Sequence, residues 1–124
     1  MKLSSKEEQL MRYLWKLEKA FMKALIQEYD DPKPATTTVA TLLKRMRDKG
    51  FIDYKVFGNS REYFPLVSKS DYFGKHMRTM IQQFFGNSAS SFASFFTRET
   101  DLSENELEAL REVIEEELKK KKGK

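Results

Sequence analysis

The stretch Pro34–Gly50, PATTTVATLLKRMRDKG, decides the fold of this 124-residue chain. Wound at 3.6 residues per turn, it places Val39, Leu42, Leu43 and Met46 within one narrow arc. Thr37, Thr41, Lys44 and Asp48 fall on the opposite side, flanked by Thr38 and Arg45. Ala35 or Thr36 opens the helix, and Gly50 closes it where a left-handed residue is favoured. An aliphatic stripe backed by short hydroxyls and long cations suits the DNA major groove. Hydroxyls bond base edges there, and a guanidinium grips guanine or phosphate. Any solvated amphipathic helix can show a similar polar face, so the flanking sequence has to discriminate.

Directly after Gly50 the period changes from 3.6 to 2. Ile52, Tyr54 and Val56 alternate with Asp53 and Lys55, and Arg61 to Val67 is again extended and aromatic. Gly58-Asn59-Ser60 between them supplies turn chemistry. The pattern predicts a β-hairpin with Lys55 and Arg61 near its tip. Upstream, Ser5 with Glu8 reads as a capping box ahead of the stripe Leu10, Met11, Leu14 and Trp15. Phe21, Met22, Leu25, Ile26 and Tyr29 read as a second short helix, ended by Asp30-Asp31-Pro32. Three helices followed by a basic-tipped hairpin is the order of a winged helix-turn-helix. The predicted fold is mainly α with a small β-hairpin, its DNA-binding domain covering residues 1–67.

Residues 68–124 are predicted to form a helical dimerisation domain. Ser68 or Ser70 caps a fourth helix carrying Phe73, Met77, Met80, Ile81, Phe84 and Phe85 at 3–4 spacing. A serine-rich fifth segment carries Phe92, Phe95 and Phe96. The last helix opens on a capping box, Ser103 with Glu106, and repeats Leu107, Leu110, Ile114 and Leu118. Three short helices cannot bury this much apolar surface alone, and a second copy of the chain is the economical cover. Folding back onto the first domain is the competing arrangement.

Charge supports the division of labour. Residues 1–67 hold thirteen Lys/Arg against nine Asp/Glu, whereas 68–124 hold ten of each, so the whole net charge of +4 lies with the half of the chain that carries Pro34–Gly50. The terminal lysine run follows Glu115–Glu117 and complements the helix dipole, with a second DNA contact as the alternative use. No run of 18 apolar residues and no signal-peptide core is present, so the chain is expected to be cytoplasmic without direct membrane insertion. Cysteine is absent, which excludes disulfides and thiolate metal sites. The single His76 belongs to no cluster with metal spacing, and no phosphate loop or nucleophile motif is present. No enzyme activity, metal or cofactor is expected.

These residues resemble the penicillinase-repressor (BlaI/MecI/CopY) family of winged-helix transcriptional repressors. The resemblance rests on Thr38-Val39-x-Thr41-Leu42-x-x-Arg45-Met46-x-x-Lys49-Gly50-Phe51-Ile52, on Arg61-x-Tyr63-x-Pro65-Leu66-Val67, on Phe85-Gly86 and on Leu102-Ser103-x-x-Glu106-Leu107-x-x-Leu110. It implies a homodimer on a two-fold double-stranded DNA operator, repressing β-lactam resistance or a related operon together with its own gene. It places DNA contacts at Thr37, Thr38, Ala40, Thr41 and Arg45, supported by Lys49 and the wing. Ala40 departs from the long basic residue common in the family, and Thr36 and Thr37 replace more polar residues. In the antibiotic-sensing branch a membrane-bound sensor protease is associated with cleavage of the fifth helix at an Asn-Phe pair; the pair that matches it here is Phe95-Phe96, a departure from that pattern. The copper-responsive branch uses C-terminal cysteines, which this chain lacks. Two other readings remain open: a winged-helix module that binds only protein, and a repressor gated by a small ligand in a C-terminal apolar pocket.

Overall fold

A computed structural model describes residues 2–123; Met1 and Lys124, the last of the terminal lysines, lie outside the described residues. The elements run α1 (Ser5–Leu17), β1 (Ala20–Phe21), α2 (Met22–Gln27), α3 (Thr36–Asp48), β2 (Ile52–Phe57), β3 (Ser60–Pro65), α4 (Lys69–Phe84), α5 (Ala89–Glu99) and α6 (Glu104–Lys122). The chain divides into two compact units inside α4, between Lys75 and His76.

The first unit is a winged helix-turn-helix. Val39, Leu43 and Met46 of α3 are fully buried and Leu42 nearly so, against Leu10, Met11 and Leu14 of α1 and Leu25 of α2. Each such side chain contributes roughly 1.5–3 kcal/mol by leaving water. Helix α3 ends as its glycine dictates: Gly50 sits at φ +85°, where a Cβ would be strained. The strands follow at once. Strands β2 and β3 pair antiparallel with Tyr54 opposite Tyr63, Lys55 opposite Glu62 and Val56 opposite Arg61. Gly58, at φ +61°, and Asn59 make the turn.

Two expectations change here. The sheet has three strands in the order β1-β3-β2, since Ala20 and Phe21 pair with Tyr63 and Glu62. Phe21 therefore precedes α2 and does not start it. A two-residue strand has no period of its own; its partners, Tyr63 and Glu62, lie far downstream and alone define it. The capping box of α1 is also shifted by one. Ser4 Oγ accepts the Glu7 amide at 3.2 Å, and Glu7 Oε1 accepts the Ser4 amide at 2.7 Å. The overlapping pair Ser5/Glu8 has the same spacing, but capping at Ser4 buries Leu3 just ahead of it and turns Glu7 inward.

The core of this unit extends past Val67 into the first turn of α4. Ser68 caps that helix, its Oγ accepting the Asp71 amide at 3.0 Å. Tyr72 is buried, its ring 5.6 Å from Phe51, its hydroxyl accepting from the Leu3 amide and donating to Glu8 Oε2 at 2.7 Å. Trp15 packs beside it and donates Nε1–H to the Val67 carbonyl at 2.9 Å.

In the second unit, by contrast, no described residue is buried. The rings of Phe85, Phe92, Phe95 and Phe96 cluster at centroid distances of 5.4–6.0 Å. Helix α6 opens on the expected capping box, the Ser103 and Glu106 side chains each accepting the other's amide at 3.1 Å. Among the described residues no helix is long and apolar enough to cross a membrane, and no group of three or more His, Asp or Glu could hold a metal ion.

Candidate nucleic acid interface

With its aliphatic stripe committed to the core, α3 presents Thr36, Thr37, Thr38, Thr41, Lys44 and Arg45 outward. Its cap residue is Ala35, which offers no side-chain bond, and its first turn holds no carboxylate. The free first-turn amides and the positive end of the helix dipole thus stay available to an anion. The Thr41 hydroxyl donates to the Thr37 carbonyl at 2.9 Å, which fixes its rotamer and leaves its oxygen as an outward acceptor. Arg45, one turn further on, makes no ion pair among the described residues. Lys44 pairs with Asp48 at 3.0 Å; both are well exposed, so the pair adds only a few tenths of a kcal/mol and releases readily.

The remaining sequence-derived positions divide. Lys55 and Arg61 stand exposed on the wing, as the hairpin register requires. Between them the tip is apolar, with Val56 and Phe57 exposed and Phe57 resting 6.0 Å from the Phe21 ring. Ala40 is half-buried beside the groove described below. Lys49 has a different occupation from the other cations. Its ammonium lies 2.6 Å from Oε1 of buried Glu7 and 3.3 Å from the Lys2 carbonyl. Burial by itself would raise the Glu7 carboxyl, but the Lys49 ammonium and the Ser4 amide and hydroxyl outweigh it and hold the carboxyl below its ordinary value. Lys49 thus anchors the end of α3 to the start of α1.

Sequence reading missed a further group. A groove of about 880 Å³ runs between the α3 flank and the sheet, lined by Lys23, Lys44, Arg47, Tyr54 and Arg61 among others. Arg47 Nε donates to Asp53 Oδ1 at 2.9 Å, which with the Tyr54 amide holds the Asp53 carboxyl below its usual range. The guanidinium carbons of Arg47 and Arg61 both lie 4.5 Å from the Tyr54 ring centroid. On a helical wheel Arg47 belongs to neither the buried nor the outward arc, and only the return of β2 along α3 gives it a neighbour.

The dimerisation residues also divide. Phe84 is 75% exposed, Ile114 57%, Phe95 45% and Leu107 42%. Met77 and Phe96 are exposed as well, while Met80, Ile81, Phe85, Phe92 and Leu110 are half-buried. Phe73 belongs to the first unit, its ring 5.8 Å from Trp15.

Known proteins place this architecture. The chain is 31% identical over 113 residues to the methicillin resistance regulatory protein MecI of Staphylococcus aureus strain N315, covering 90% of this chain and 92% of that one. It is 30% identical over 113 residues to the MecI protein of Mammaliicoccus sciuri, with the same coverage. To the penicillinase repressor of Bacillus licheniformis it is 25% identical over 121 residues, or 97% of this chain and 94% of that one. The penicillinase repressor family profile matches residues 3–116. The chain therefore belongs to the penicillinase repressor family, whose members are transcriptional repressors and not enzymes.

Proposed function

We propose that the protein is a sequence-specific DNA-binding repressor that acts as a homodimer on a two-fold operator. The observation that carries this reading is the face of α3. Its threonines and Arg45 point outward beside a basic wing, while every large apolar side chain of that helix points inward. Thr37, Thr38, Thr41 and Arg45 read base edges, and Lys44, Lys55 and Arg61 meet the backbone. Lys49 acts by holding α3 in place. Uncovered Phe84, Leu107 and Ile114 support a second copy as the cover of α4–α6.

By likeness to the relatives named for methicillin resistance and penicillinase control, the regulated genes are those of β-lactam resistance or a related operon, with the repressor's own gene. Derepression would follow a cut between Phe95 and Phe96 by a membrane-bound sensor protease. That bond lies inside α5, so severing it would separate the Phe92 ring from α6 and dismantle the apolar cover.

Competition between operator and scrambled duplexes at several salt concentrations tests the assignment. Thr41→Ala and Arg45→Ala should each cost about 1–3 kcal/mol on the operator and far less on the scrambled duplex. Alanine is the better helix former, so neither change should unfold α3. Lys55→Ala should weaken both duplexes alike and flatten the salt dependence. Equal losses on both duplexes for Thr41→Ala would remove it from the base-reading set.

A further inference from the structure

We infer that Arg47 and Arg61, gathered over the Tyr54 ring, form a clamp for a backbone phosphate of DNA at the seam between α3 and the wing. The clamp deepens the proposed DNA reading and rests on it. Two guanidiniums brought to one ring repel each other, and only part of that cost is offset within the chain. The Tyr54 ring attracts both cations, each at 4.5 Å from its centroid. Asp53 compensates Arg47 alone, and it does so through Nε, so the two terminal nitrogens of Arg47 keep their donors for a ligand. Arg61 makes no ion pair among the described residues.

The surrounding groove is short of anions. Lys23 and Lys44 line it together with the two arginines, and its one lining carboxylate, Asp48, is already held by Lys44 at 3.0 Å. A tetrahedral anion presenting several oxygens matches planar guanidinium forks better than a single carboxylate does. Because the groove borders the outward face of α3 on one side and the wing on the other, the phosphodiester backbone is the polyanion that reaches it. Tyr54 is then a positioning residue. It stands half-buried, its ring 5.5 Å from that of Tyr63, and both guanidiniums rest against it in the groove that all three residues line.

Salt titrations of duplex binding separate the clamp from the parent reading. Arg47→Gln and Arg61→Gln should each flatten the slope of log K against log salt by about 0.9 per protomer, equally on operator and scrambled duplexes. The double variant should flatten it little beyond either single change, because one phosphate is shared. Tyr54→Phe should keep the slope of the original chain. Tyr54→Leu should flatten it like an arginine variant while the thermal midpoint moves by only a few degrees. Arginine variants that bind duplex with an unchanged slope would overturn the clamp and leave the repressor reading standing. Slopes that fall independently and additively would overturn the shared phosphate. A Tyr54→Leu variant with the original slope would overturn the positioning role. No duplex binding by the original chain at any salt concentration would instead remove the DNA reading itself.

Discussion

Lys49→Ala should destabilise the folded chain by about 3 kcal/mol at neutral pH, the lower end of what breaking a buried ion pair costs. Glu7 supplies the reason. Its side chain is 2% exposed, whereas that of Lys49 is 28% exposed, so removing the lysine takes the counter-charge from a carboxylate that the fold shields from water. Its second oxygen already lacks a partner among the described residues, so only the Ser4 amide on Oε1 remains to soften the loss. For a domain of this size the thermal midpoint should fall by roughly 10 °C or more. Glu7→Gln should cost less, since the amide oxygen can still accept from the Ser4 amide and from Lys49.

Acid provides the control. The Glu7 carboxyl is depressed in the fold, so its stabilisation is fully present above its ordinary value of 4.5 and is lost as pH falls through the lower, folded value. Without Lys49 the folded value rises toward or above the ordinary one. The deficit of Lys49→Ala should therefore shrink between pH 7 and pH 4, followed by denaturant melts across that range. A deficit that stays constant over those pH values would mean that Lys49 stabilises by packing and not through the Glu7 charge.

The second large effect is expected from the other unit. Leu107→Glu with Ile114→Glu should convert the proposed dimer to a monomer by light scattering at micromolar concentration. Both side chains are exposed in the single chain, so carboxylates there cost the protomer little, yet they would be desolvated beneath a second copy. Separating the copies removes the gain of linking two reading heads, so affinity for a two-half-site duplex should drop by about 100-fold or more. Binding to a single half-site should be nearly unchanged. Retention of the dimer mass by this variant would show that α6 lies outside the interface.

Local chemistry made much of the fold legible. Val39, Leu42, Leu43 and Met46 declare the inner face of α3, and Gly50 marks its end by the conformation only glycine adopts freely. The switch of period at Ile52 announces the wing, and Ser103 with Glu106 announces α6. What stayed hidden depends on distant partners. β1 exists because Tyr63 and Glu62 pair with it, and the choice of Ser4 over Ser5 as cap goes with the ion pair from Glu7 to Lys49, a residue of another helix end. Arg47 was passed over for the same reason, since Tyr54 and Arg61 reach it only after β2 and β3 have folded back along α3. The outward residues of α3 were readable because exposure on a helix follows directly from its period.

Equilibrium binding to a duplex from upstream of the chain's own gene, set against a scrambled duplex of equal length, tests the central claim most directly. The expected result is two protomers on the upstream duplex, bound at least about 1,000-fold more tightly than the scrambled one at physiological salt. Equal affinity for the two duplexes, or none for either, would contradict it.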